Sequence, residues 1–241
     1  MRAATAEQGQ GNIEFIIVFL VFAGLLLGLF EMTRVFRTKH LLNTATFLAA
    51  RAGAISNARL PPMNGELANG MAPLFMHGAQ SATGLVSAQV RAQAVARLPG
   101  LGVQIVSPNA AAFRAFKVQQ RIRRSDEDDY QWQDVIPNDN LRWRPASTRD
   151  IQINGATARL NVQDANLLKV RTLWCHRLIV PALDAVIFAI VNTPLFLGER
   201  QQVCSAISHR ALAGVATGYY LAITADATLR MQSAVVGDDL P

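Results

Sequence analysis

The chain has 241 residues, a formal net charge of +6 and 51% hydrophobic residues, which fits one membrane segment plus one domain of ordinary size. Roughly 180 residues outside that segment are enough to bury a core of their own. The basic residues are nearly all arginine, the lysines being Lys39, Lys117 and Lys169; they are scattered, with no stripe interleaved with aromatics, which excludes a nucleic-acid interface and reads as a solvated surface.

Residues 1–9 form a short polar leader, weakly basic through Arg2 and the amino terminus against Glu7. Between Glu14 and Glu31 there is no charge, and from Phe15 to Phe30 the side chains are Ile, Val, Leu, Phe, Ala and Gly only. A helix from Gln10 to Thr33 spans roughly the 30 Å of a bilayer core. Glu14 then sits one turn inside the apolar run, where an unpaired carboxylate is costly. A cut after Gly9 would place a new ammonium on Gln10, and a helix brings the first and fifth residues of the mature chain onto one face. An ordinary secretory signal requires a small-residue cleavage site after the apolar run; here the run continues into Glu31-Met32-Thr33-Arg34 instead.

The sequence Gly9-Gln10-Gly11-Asn12-Ile13-Glu14-Phe15 resembles the type IV pilin processing site, and in particular that of the TadE-like pseudopilins. The resemblance implies cleavage between Gly9 and Gln10 by a prepilin peptidase, and an assembly role for Glu14 and Phe15. It also implies that the N-terminus faces the cytoplasm. Arg34, Arg37 and Lys39, beyond the run, argue for the opposite orientation by the positive-inside rule.

No Gly or Pro falls between Gly28 and Gly53, so the helix is expected to continue to Asn57, where Pro61 and Pro62 follow. Leu41, Ala45, Leu48, Ala52 and Ile55 form an apolar seam, with Arg37, Asn43, Thr44 and Arg51 off it. Residues 60–78 read as loop, with Pro61, Pro62, Gly65, Gly70, Pro73 and Gly78 marking turns. Residues 79–98 read as a second helix ended by Pro99-Gly100, and residues 103–106 as a short strand. Asn109 is positioned to cap a third helix over residues 110–124. The acidic run at residues 125–129 lacks the alternation, central Gly and distant Glu of a calcium loop; it reads as a solvated turn beside Arg121, Arg123 and Arg124.

Residues 130–150 read as a long irregular connection. Residues 167–180 alternate Val170, Thr172, Trp174, His176 and Leu178 with Lys169, Arg171 and Arg177, and form the main strand. The stretch from Asp164-Ala165-Asn166-Leu167 to Val180-Pro181 also resembles the sheet-forming part of TadE-like proteins. Residues 219–236 read as one or two late strands with Leu221, Ile223, Leu229 and Met231 in the core, and residues 237–241 as a frayed tail.

Residues 178–197 carry a single charge, Asp184. Three readings compete, a second span, a helix lying on the membrane surface and a helix buried in the domain; Pro181 and Pro194 leave an uninterrupted helical core of about 18 Å, short of a span, which favours the last two. Cys175 and Cys204 in an exported domain point to one disulfide, against two buried free thiols; a second span would have separated them. His40, His77, His176 and His209 lack HExxH spacing, and no nucleophile elbow, phosphate loop or dinucleotide fingerprint occurs. Neither an enzyme, a metal nor a cofactor is expected.

The expected fold is α+β and pilin-like: a leader at residues 1–9, a membrane-spanning assembly helix at 10–57, and an extracytoplasmic domain at 58–241 with a small antiparallel sheet. The resemblance implies a minor pilin-like subunit of a tight-adherence (Flp-type) pilus or related secretion filament in the bacterial inner membrane. Its partners would be other pilin subunits, prepilin peptidase, the inner-membrane assembly platform and membrane lipid. The rival is an unprocessed single-span envelope protein whose periplasmic domain binds a partner.

Overall fold

The structure, a computed structural model, describes residues 10–76, 81–124, 128–153, 156–208 and 217–241. Helix α1, Gln10–Ile55, is 46 residues long, about 69 Å at the α-helical rise. Asn57 and Ala58 adopt positive φ, and Ala58 N–H donates to Gly53 O, which closes the last turn much as left-handed residues commonly end helices.

The two halves of α1 have different surroundings. From Ile13 to Phe30 the large apolar side chains are exposed, and none of the most apolar 18-residue window is buried within the chain. From Glu31 onward one face is buried: Thr38, Leu42, Ala45, Thr46, Ala49, Ala50 and Ala54. The expected seam is therefore rotated by roughly one residue. Ile55 is exposed and Leu41, Leu48 and Ala52 are only partly covered. The buried stripe includes threonines and a glutamate because their polar atoms find partners in the domain, so apolarity alone misplaces it.

Residues 60–76, expected as loop, form helix α2, Leu60–Met71, and a 3-10 turn, Ala72–Phe75. The prolines sit in the first turn, where the missing N–H has no helical acceptor to lose. Gly70 lets α2 pass close to α1, since a Cβ there would lie 2.6 Å from Ala45 Cβ. Helix α3, Ala82–Ala96, is capped by Ser81, which accepts from Gly84 N–H. Strand β1, Gly102–Ser107, follows.

Asn109 caps a helix, α4, Ala110–Phe116, accepting from Ala112 N–H; it stops well short of residue 124. The chain turns into β2, Val118–Ile122, which pairs antiparallel with β3, Gln131–Ile136. Strands β4, Arg149–Ile153, and β5, Ala156–Leu160, make a further hairpin. The irregular connection expected over residues 130–150 thus contains strands; they are short and polar because most of their faces are solvated. After the short helix α5, Val162–Ala165, comes β6, Leu167–Arg177, the centre of the antiparallel sheet β1-β6-β7.

Helix α6 is Leu183–Val191, α7 is Glu199–Ser208, β7 is Tyr220–Arg230 and β8 is Val235–Val236. Within β7, Ile223 is buried and Leu229 partly so, Met231 just beyond it is buried, and Leu221 is half-covered. Strand β8 adds to β3. The tail is tied down rather than frayed: Leu60 N–H donates to Asp239, Ala110 N–H donates to Pro241 O, and Arg124 pairs with Asp238. The fold is α+β, with one face of the main sheet on α1 and the other on α7.

Candidate assembly helix and its anchorage

Gly9 lies outside the described residues, and Gln10 is the first residue of α1. Glu14 and Phe15 follow one turn in, both exposed, with the Phe15 ring stacked on Phe19 at 6.1 Å. Gly24 and Gly28, four residues apart on one side of α1, have open space above them, the geometry that lets a second helix approach closely. Thr33, at the end of the run, donates its hydroxyl back to Leu29 O, so no hydroxyl hydrogen there is left to find a partner in lipid.

The second half of α1 is held by β6 in a repeating register. Gly53 faces Leu168, the Thr46 and Thr172 hydroxyls meet at 2.6 Å, and Thr38 Oγ1 lies 2.9 Å from His176 Nδ1. Seven or eight helical residues advance about 11 Å and four strand residues about 13 Å. The two elements therefore stay in step, and polar pairs recur where both periods coincide.

That register ends at Glu31, the first charge after the apolar run, which is 1% exposed. Its Oε2 accepts from Val180 N–H at 3.2 Å and Ile179 N–H at 3.4 Å. Its Oε1 accepts from Arg34 at 3.1 Å and lies 3.5 Å from His176 Nε2. The last distance is too long for a full hydrogen bond, and Nε2 makes none. Burial lowers the His176 pKa, as does the Arg34 guanidinium; Glu31 opposes both through its charge and polar contact. The ring is thus neutral at neutral pH, with Nδ1 placed to accept from Thr38 and the Nε2 proton facing Glu31. Lys39 donates to Thr224 O on β7, while Arg34 pairs with Glu31 within α1 and Arg37 is exposed.

Cys175 and Cys204 are joined by a disulfide across a separation of 29 residues. It lies on the opposite face of the main sheet from His176, in a small second core with Leu101, Leu173, Ile207 and Tyr220. Neighbouring residues on β6 thus point to different layers, as a strand requires. His40 is exposed, and His77 and His209 lie outside the described residues. Among the described residues no three His, Cys, Asp or Glu side chains group as metal ligands would.

The Glu31–His176 neck was not legible as a site in the sequence, because its partners are far apart in the chain. A signal was present in the spacing: Glu31, Thr38, Leu42, Ala45 and Ala49 fall on one helical face.

Residues 9–51 match the family model of TadE-like protein. Over these residues the N-terminal helix is similar to that family. The match covers the exposed apolar run together with the helix side of the neck. Strand β6 and the rest of the domain lie beyond it. No curated protein and no solved structure matches the chain.

Proposed function

We propose that the chain is a minor pilin-like structural subunit of a tight-adherence pilus or related secretion filament, with no catalytic role. Prepilin peptidase cleaves between Gly9 and Gln10, and the new ammonium pairs with Glu14 of the same or a neighbouring subunit. The observation that carries this reading is the TadE-like match over a helix whose apolar half is bare within the chain. That half needs a cover of lipid before assembly and of neighbouring helices after it. Gly24 and Gly28 supply room for close helix contact.

The domain faces the periplasm in this reading. The Cys175–Cys204 disulfide supports an oxidising compartment for residues 58–241. Arg34 and Lys39, which by charge alone argue for the reverse orientation, have structural partners in Glu31 and Thr224. Their presence therefore has a cause other than topology. The partners are other pilin subunits, prepilin peptidase and the inner-membrane assembly platform.

Glu14→Ala tests the register role. It is expected to leave insertion and cleavage intact and to abolish incorporation into filaments, since the ammonium loses its counter-charge in a low-dielectric bundle. Pili of normal number and composition in that variant would discard the role.

A further inference from the structure

Helix α6 has an inverted surface. Its exposed positions are Ala182 just before it, then Ala185, Val186, Ala189 and Ile190, spaced by three and four so that they share one face. All are apolar, and Val186 and Ile190 are more than half exposed. On the other side, Asn192 just after α6 accepts from Ser205, and the Phe188 ring packs at a tilt against Tyr219 at 4.7 Å; Asp184, the one charge of α6, is half-buried in the first turn and accepts from Ala185 N–H. A helix facing water carries its polar residues on the outer face. Leu195 and Phe196 extend the bare patch to the next turn, at 82% and 61% exposure.

The neck fixes where this patch lies. Val180 N–H donates to Glu31, and Val180 O accepts from Asp184 N–H at 2.9 Å. One residue therefore joins the end of the apolar run of α1 to the first turn of α6. Phe30 and Met32, flanking Glu31, are exposed on α1 at the same level. The apolar surface of the run thus continues onto α6 where the hydrocarbon ends. With nine residues, α6 is about 14 Å long and too short to cross a bilayer.

We propose that the exposed face of α6 is a membrane-interface site, occupied by lipid of the same bilayer that α1 crosses. The proposal rests on the spanning role of α1 and is independent of cleavage at Gly9. The subunit then has two points of attachment: α1 sets its depth, and α6 sets the rotation and tilt of the domain. Extraction of a subunit into a filament must lift α6 off the lipid as well as withdraw α1, and the face so released becomes available to neighbouring subunits.

The test uses the full chain in phosphatidylcholine–phosphatidylglycerol vesicles, with a fluorophore on a single introduced cysteine, the native pair being bonded. Three positions are compared: Ala189→Cys on α6, Val21→Cys in the apolar run, and Ile55→Cys at the far end of α1, about 36 Å beyond Glu31. A nitroxide on the lipid near the headgroup and aqueous iodide serve as quenchers. The Ala189 label is expected to be quenched by the lipid nitroxide, and by iodide about fivefold less than the Ile55 label, as befits burial at the headgroup–acyl boundary. Iodide quenching equal to that at Ile55, with Val21 protected, overturns the α6 proposal and leaves the span standing. Iodide quenching at Val21 overturns both. Protection of Ala189 from both quenchers, growing with the protein-to-lipid ratio, assigns the face to a second copy and also overturns the proposal.

Discussion

Replacing Glu31 by alanine is expected to loosen the whole neck. The carboxylate is buried and accepts from Val180 N–H at 3.2 Å, Ile179 N–H at 3.4 Å and Arg34 at 3.1 Å. The Val180 bond to a charged acceptor is worth about 1.5–3 kcal/mol, while the longer Ile179 bond adds little. Arg34 is partly solvated, so that pair adds about 0.2–1 kcal/mol. Relief of the buried charge returns part of this. A net loss of about 1–3 kcal/mol is expected, with Glu31→Gln, which keeps one acceptor oxygen, losing roughly half. Urea unfolding of the full chain in detergent, followed by the buried Trp174, reads the change. The midpoint should fall by roughly 0.5–1.5 M for a domain of this size. A shift below about 0.3 M would mean that the carboxylate does not hold residues 179 and 180 to the end of the run.

Other consequences follow from single contacts. Because the His176 pKa is lowered, the unfolded chain takes up this proton first on acidification; stability is full above about pH 6.5 and falls below it by at most about 1.4 kcal/mol per pH unit, until the folded-state pKa is reached. His176→Gln should remove that slope from unfolding titrations between roughly pH 7 and 5.5, and an unchanged slope would assign it elsewhere. Gly70→Ala drives a Cβ to 2.6 Å from Ala45 Cβ and 2.9 Å from its Cα, a backbone clash expected to cost about 1–3 kcal/mol; an equal or higher melting temperature would contradict the close α1–α2 approach. Thr46→Val leaves the Thr172 hydroxyl with only its long 3.4 Å contact to Ala225 O, at about 1–2 kcal/mol, whereas the double variant with Thr172→Val should be nearly neutral; additive losses in the cycle would show that the hydroxyls do not interact. Reduction of the 29-residue disulfide link should cost about 2–4 kcal/mol, with no loss in reducing buffer as the contrary result.

What could be read from the sequence was whatever is local and strongly patterned. The charge-free run, the strand around Val170 and Trp174, and the Asn109 cap each carry their own signal within a few residues. The misses have physical causes. Pro61 and Pro62 look like breakers, yet in a first helical turn they cost nothing. Gly70 looks like a turn residue, yet it is there because Ala45 is so near. Strands β2 and β5 bury no side chain fully and β3 buries only its last two, so apolar alternation is lacking. The neck depends on contacts between residues more than a hundred apart, which no window along the chain contains. Glu31 in particular reads as the boundary of a membrane run, whereas in the fold it is the residue that fastens the domain to that run.

The pilin-like reading stands or falls on the mature N-terminus. The chain isolated from membranes of cells that contain prepilin peptidase should, by intact mass and N-terminal sequencing, begin at Gln10. A Gly9 substitution, or loss of the peptidase, should restore a start at Met1. A chain that still begins at Met1 with the active peptidase present would contradict processing and leave α1 a static anchor.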